Sequence, residues 1–472
     1  MKKLGIIVLS LLSFVAAAQA QQRPKLVVGI VVDQMRWDYL QYYKERFGSD
    51  GFNRLQREGF SFDNTPRSAT PTIGYFPTVT ACGHSCLYTG SIPALTGIAG
   101  NNFYVDGKQT YCTEDKTVQG VGSNSSAGQM SPRNLEVSTI GDELKVATNY
   151  LSKVIGISLK DRGAILPAGH AADAAYWYDA KKGIFISSTY YQKELPAWVR
   201  KFNTAHHQTK DIRYSPMGNT LVADMAIEAL GKENLGQDNI TDLLTVSFSS
   251  TDYVGHRYGP FSTQLDSVYL SLDHDLGRLL TALDEKVGKG NYIVFLSADH
   301  AAPINYKKQN AHGIPGGVWD EDQAKQYPGV KDVIENRIYL SDPSRKAEII
   351  RHFQQEKGVA WVIDFSHVDE TTLPDYLKRK VIQGYHPQRS GDLMVILKPG
   401  YYETSADSFE DGINHGAPYN YDSHIPLLWM GKGIPQGRSI QHISISDVAP
   451  TVCALLGIQA PTGCVGEPHP FQ

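Results

Sequence analysis

Two kinds of hydrophobic run alternate along this chain. Leu26 to Val32 is continuously apolar and mostly branched, and it stops abruptly at Asp33. That is the pattern of a strand covered on both faces in a parallel sheet. Val154 to Ser158, Leu243 to Phe248, Tyr292 to Leu296, Leu393 to Leu397 and Pro426 to Met430 repeat it. Between these runs, apolar positions recur at helical spacing, as in Phe52 to Glu58, Ile140 to Ala147, Leu221 to Leu230 and Thr263 to Val287. The alternation predicts an α/β fold, a mostly parallel sheet flanked by helices. Two segments fit that sheet poorly. Residues 169–220 are rich in aromatic side chains (Tyr176, Trp177, Tyr178, Tyr190, Tyr191, Trp198), and residues 307–389 mix short helical patterns with Gly- and Pro-rich turns. Both are expected to be cap insertions over the sheet edge, within one catalytic domain spanning residues 21–472.

The first twenty residues follow a different pattern. Lys2 and Lys3 precede an apolar stretch from Leu4 to Ala17, and Ala18-Gln19-Ala20 offers small residues for cleavage. This is a secretory signal peptide, expected to be removed after Ala20. The apolar stretch is shorter than the ~20 residues a membrane span needs, and no basic cluster follows it. The mature protein is therefore expected to be periplasmic or secreted, without stable membrane insertion. A net charge of −4 and the lack of a dense Lys/Arg block argue against a nucleic-acid partner. The five cysteines, Cys82, Cys86, Cys112, Cys453 and Cys464, allow up to two disulfides in an exported protein. Cys453 and Cys464 are close enough in sequence to pair around a short loop, but the connectivity stays open, as does the oligomeric state.

Candidate chemistry gathers where the predicted strands end. In parallel α/β sheets, function lies just past the carboxyl ends of the strands. Asp33 ends the first run, Lys160 and Arg162 follow the second, Asp252 and His256 follow Leu243 to Phe248, and Asp299-His300 closes Tyr292 to Leu296. Asp252 and His256 share a face if their segment is helical. With His415 these make three Asp and three His, a mixture of oxygen and imidazole donors that Zn²⁺ accepts well, enough for two ions. Thr80 is placed where the extended Pro77-Thr78-Val79 gives way to small residues. A hydroxyl there is expected at a helix N-terminus, where free N–H groups favour an anion. An ordinary helix cap would read the same way.

The motifs together resemble the alkaline phosphatase superfamily, and among its members the secreted PafA-type phosphate monoesterases related to the type I phosphodiesterases and nucleotide pyrophosphatases. The resemblance runs from Asp33 to Asp447-Val448-Ala449-Pro450-Thr451. It rests on Thr80, Gly83-His84, Thr89-Gly90, Asn101, Lys160-Asp161-Arg162, Asp252-x-x-x-His256, Asp299-His300 and His415-Gly416. It implies an alkaline-phosphatase-like fold and hydrolysis of small phosphate monoesters through a phosphothreonine on Thr80. One zinc ion would be held by Asp33, Thr80, Asp299 and His300, and the other by Asp252, His256 and His415. His424 is a nearby alternative to His415. Cys82 stands where many relatives have Pro. Asn101 would contact a phosphoryl oxygen, and Lys160 with Arg162 would clamp a dianionic terminal phosphate. If Ser158 to Arg162 continues extended, those two side chains point together and Asp161 points away. A phosphodiesterase or nucleotide pyrophosphatase on the same scaffold would keep the zinc ligands and replace the clamp with an apolar slot. A sulfatase would carry Cys or Ser in place of Thr80, and an idle surface-binding protein would have lost a ligand.

Overall fold

The computed structural model describes residues 23–63, 73–404 and 412–472, so the expected signal peptide lies outside the described residues. Ten strands form the main sheet: β1 Leu26–Val32, β2 Phe60–Phe62, β3 Gly120–Val121, β4 Val154–Ser158, β5 Ala174–Asp179, β6 Ile184–Ser188, β7 Asp242–Phe248, β8 Tyr292–Ser297, β9 Leu427–Gly431 and β10 Gly437–Ser439. Their order is β10-β2-β9-β8-β1-β7-β4-β5-β6-β3. The five neighbours β8, β1, β7, β4 and β5 run parallel, and β9 and β6 flank them antiparallel. All seven residues of β1 are buried, which explains why the first strand reads as an unbroken apolar run. The α/β fold with a mostly parallel, helix-flanked sheet is what the hydrophobic pattern predicts.

Three expectations need correction. Leu393–Leu397 is a strand but not of the main sheet. It pairs with Arg337–Leu340 and Val359–Asp364 in a separate four-stranded antiparallel sheet. Leu393, Val395 and Leu397 face one apolar cluster of that subdomain, while Met394 and Ile396 face another. A strand covered on both sides gives the same apolar run wherever it lies, so periodicity could not separate the two sheets. Second, the aromatic segment 169–220 does not stand apart as a cap, because β5 and β6 extend the main sheet. Several of its aromatic residues are core, with Tyr176, Trp177, Tyr178 and Phe185 buried, while Tyr190 is exposed. Third, all five cysteines are free thiols. Cys464 Sγ is directed at the Gly466 carbonyl, 3.7 Å away, and not at Cys453.

Helix α1, Thr80–Thr89, is buried at all ten positions. It lies against the parallel strands through glycines that bring backbones close. A Cβ on Gly83 would sit 2.2 Å from the Asp299 carbonyl oxygen, and one on Gly29 of β1 would sit 2.3 Å from Tyr88 Oη. The helix ends at Gly90, whose φ of 66° is the left-handed cap conformation that glycine adopts without strain. Gly83 therefore sets the distance between the start of α1 and the end of β8. Gly83→Ala is expected to destabilise the fold by about 1–3 kcal/mol through overpacking and to depress activity by shifting Thr80 relative to Asp299. Thermal unfolding and a rate assay on the same preparation check this, and an unchanged melting temperature would contradict it.

Candidate active site

Four adjacent parallel strands deliver side chains to one sheet edge. Asp33 follows β1, Asp299 and His300 follow β8, and Lys160 follows β4 as the residue preceding helix α2, Asp161–Ala168. Asp252 and His256 lie one turn apart on helix α3, Ser250–Tyr258, which follows β7. Asp33, Asp252, Asp299, His300 and Thr80 are all buried. Val79 supplies no side-chain cap to α1, so Thr80 is the first helical residue and not its cap. Its Oγ1 lies 3.3 Å from His300 Nε2 and accepts from Lys160 Nζ at 3.4 Å.

Two donor groups frame that hydroxyl. Asp33, Asp299 and His300 bring one donor atom each within 4.8 Å of one another, and so do Asp252, His256 and His415. His415 thus joins a donor group, whereas His424 stacks on Trp37 at 4.9 Å between ring centroids. The imidazoles are aimed by backbone. Nδ1 of His256, His300 and His415 lies 3.0, 3.1 and 2.9 Å from the carbonyls of Ile413, Ala301 and Thr78. A carbonyl only accepts, so each Nδ1 carries the proton and each Nε2 keeps its lone pair for the centre. Asp33 Oδ1 and Asp299 Oδ2 accept no hydrogen bond of good geometry. Buried carboxylate oxygens left open beside imidazole Nε2 atoms fit divalent metal ions of the zinc type.

The electrostatics agree. Burial, reinforced by the like charges of Asp252 and Asp299, pushes the Asp33 carboxyl well above the usual range despite Lys160. Burial opposes ionisation of Asp252 too, but His256 and Lys160 hold it well below the usual value. Burial, with His300 and His256 alongside, keeps His415 neutral far below its ordinary value. Lys160 Nζ bridges the two groups, 2.7 Å from Asp33 Oδ2 and 2.6 Å from Asp252 Oδ2.

Arg162 departs from the expected extended run. It lies in the first turn of α2, its Nη1 donating to Tyr111 Oη at 2.7 Å. Tyr111 Oη in turn donates to Asp161 Oδ1 at 3.1 Å. A helix begins here because the N–H groups of Gly163 and Ala164 find the Lys160 carbonyl. Lys160 and Arg162 nevertheless border the same cleft, together with Tyr253 and Arg213. Asn101 follows α1 in the chain, and its Oδ1 accepts from Ala81 N–H at 3.1 Å. That contact ties Asn101 to the residue next to Thr80.

Sequence reasoning missed Gln34. Its Nε2 donates to Asp252 Oδ1 at 2.7 Å and its N–H to Asp299 Oδ1 at 3.2 Å, tying the two donor groups together. Its φ of 65° is unusual for a residue other than glycine. A Cβ on Gly255 would lie 2.0 Å from Gln34 Oε1, so the glycine before His256 makes room for it. His84 braces the start of α1, its Nδ1 2.9 Å from the Thr80 carbonyl and its Nε2 2.8 Å from Ser247 Oγ.

Known proteins share this fold. Residues 27–418 match the family model described as type I phosphodiesterase / nucleotide pyrophosphatase. Alkaline phosphatase PafA of Elizabethkingia meningoseptica is 42% identical, the match covering 98% of this chain and 97% of that protein. Alkaline phosphatase PhoV of Synechococcus elongatus is also 42% identical, with 95% and 93% covered. A Myroides odoratus protein named a calcium-transporting ATPase is 40% identical, with 96% and 95% covered. The crystal structure of wild-type PafA matches with a TM-score of 0.87 over 94% of this chain and 98% of that one. A PafA variant altered at one threonine, one asparagine, one lysine and one arginine has also been solved, with a TM-score of 0.87 at 41% identity and the same coverage.

Crowding three carboxylates into one buried cluster generates a prediction about metal. Ions that bind only the folded state stabilise it, by about 2.7 kcal/mol at a hundredfold excess over Kd. A chelator should therefore lower the unfolding temperature by several degrees, and zinc should restore it. Thermal unfolding with and without chelator measures this, and identical curves would contradict a metal centre.

Proposed function

The chain belongs to the type I phosphodiesterase / nucleotide pyrophosphatase family, and we propose that this phosphate monoester hydrolase works outside the cytoplasm through a phosphothreonine on Thr80 at a two-zinc centre. The observation that carries the reading is Thr80 Oγ1 held between His300 and Lys160, with a donor group on either side. Asp33, Asp299 and His300 with Thr80 would hold one zinc ion, and Asp252, His256 and His415 the other. Bound zinc supplies Lewis acidity that favours an alkoxide and draws charge from phosphoryl oxygens.

The chain's own residues supply the rest. Thr80 Oγ1 forms the new bond to phosphorus as the bond to the leaving alkoxide breaks, and water then releases phosphate from the phosphothreonine. The positive end of the α1 dipole and the amide of Asn101 face developing negative charge. Lys160 and Arg162 add a point charge and a planar fork, which suit the extra unesterified oxygen of a monoester. Support comes from the PafA variant, whose altered residue types are those of Thr80, Asn101, Lys160 and Arg162, with the same spacing within each pair. For export, the support is the N-terminal Lys2-Lys3 and apolar pattern. Among the described residues no helix is long and apolar enough to cross a membrane. A diesterase reading is favoured only by the family's description, and a substrate comparison decides between the two.

Thr80→Ala should leave only slow turnover, whereas Thr80→Ser should keep part of the rate. Acid trapping followed by peptide mapping should recover phosphate on Thr80. Label on another residue, or a fully active Thr80→Ala protein, would refute the nucleophile.

The clamp is tested on an aryl phosphate and its methyl diester. Lys160→Ala combined with Arg162→Ala should narrow the monoester-to-diester rate ratio by at least ~10²-fold, because charge-assisted contacts to the extra oxygen are worth about 1.5–3 kcal/mol each. Equal losses on both substrates would assign the pair to metal-site support, consistent with the contacts of Lys160 to Asp33 and Asp252, and would remove the basis for monoester preference.

A further inference from the structure

The subdomain built on the four-stranded sheet meets the segment carrying Asn101 through Glu335 and Arg337. Glu335 and Arg337 flank the turn between the strands Val330–Ile334 and Arg337–Leu340. Both Glu335 oxygens accept from the Asn101 backbone N–H, at 3.0 and 3.2 Å. Arg337 is fully buried and donates to the carbonyls of Ala99 at 2.6 Å and Asn102 at 2.8 Å. Its Nη2 also pairs with Glu335 Oε2 at 2.9 Å. The pair thereby grips the backbone before, at and after Asn101. Gly100 admits this grip, since a Cβ there would lie 2.2 Å from both Arg337 Nη2 and Glu335 Oε2. On its other side, Asn101 is tied through Oδ1 to the N–H of Ala81, the residue next to Thr80.

We infer that Glu335 and Arg337 are positioning residues for the reaction, holding the Asn101 amide at the angle from which it meets a phosphoryl oxygen. This rests on the reading of Asn101 as a phosphoryl contact. An ion pair that served only to attach the subdomain could grip any surface. This one sets a buried guanidinium and a carboxylate on the peptide units that orient one side chain. Fixing that amide in advance avoids the reorganisation needed when charge develops on the phosphoryl oxygen. The four-stranded subdomain thereby belongs to the catalytic apparatus although none of its strands carries a reacting group.

A double-mutant cycle tests the inference, because residues acting through one contact are not additive. Glu335→Gln keeps an acceptor for Asn101 N–H and loses the charge facing Arg337. Arg337→Lys keeps the charge and loses the fork. Each is expected to lower kcat/KM for an aryl phosphate about tenfold and to weaken competitive inhibition by inorganic phosphate to a similar degree. In an Asn101→Ala background the same changes should cost less than about twofold. Zinc content and unfolding temperature, measured on each variant, identify losses due to the metal site or to stability. Equal losses with and without Asn101 would overturn the positioning role, as would full activity in both single variants. Full activity of Asn101→Ala alone would instead remove the phosphoryl contact, and with it both this inference and the corresponding step of the proposed mechanism.

Discussion

Three carboxylates, Asp33, Asp252 and Asp299, are buried at the end of a parallel sheet within reach of one another, and the rest of the site answers to that concentration of charge. Removing like charges from water at such separations is unfavourable unless cations compensate them. The chain supplies one cation itself, the buried ammonium of Lys160, in contact with two of the three. Further compensation is prepared and not completed by side chains, for the open oxygens of Asp33 and Asp299 accept no hydrogen bond of good geometry. A metal ion held there would turn this liability into structure, since an ion satisfies oxygens that hydrogen bonding leaves open.

Backbone does much of the aiming. Three imidazoles present Nε2 to the centre because their Nδ1–H groups are engaged by main-chain carbonyls drawn from three separate loops. Gln34 stitches the two donor groups together, and the bare Cα of Gly255 lets it in. Asp422 has a similar role farther from the centre, accepting from the N–H groups of Gly416 and Ala417 just past His415. The three imidazoles, Asp252 and Asp299 are thus positioned by groups carrying no reactive chemistry, which is how a site keeps its geometry while its charges are only incompletely compensated.

Polar contacts between the sheet edge and the smaller subdomain join elements far apart in the chain. Asn101 is gripped by Glu335 and Arg337, and Gly97 and Asn134 carbonyls accept from Arg389. Lys380 donates to the carbonyl of Pro418, close to His415. Both walls of the reaction centre therefore lean on the inserted subdomain. One of its apolar clusters is its own, whereas the other takes in Phe76 from the segment leading to Thr80, so position is transmitted through that apolar contact as well as through these polar ones.

Sequence by itself determined the α/β alternation, the buried parallel strands and the acidic and imidazole residues at their ends. These are local properties: periodicity follows from how an element is covered, and a residue just past a parallel strand must emerge at one edge of the sheet. It also singled out Thr80, Lys160 and Arg162, whose surroundings change character within a few residues. The tertiary structure alone decided that Leu393–Leu397 belongs to a second sheet, that residues 174–188 extend the first, and that Arg162 begins a helix. It brought His415 to Asp252 and His256, as the family resemblance implies, set His424 against Trp37, and alone brought in Gln34, Glu335 and Arg337. The physical reason is the same in each case. Burial on two faces and a single donor atom look alike in every environment, and only long-range packing specifies which neighbour covers the strand or meets the atom.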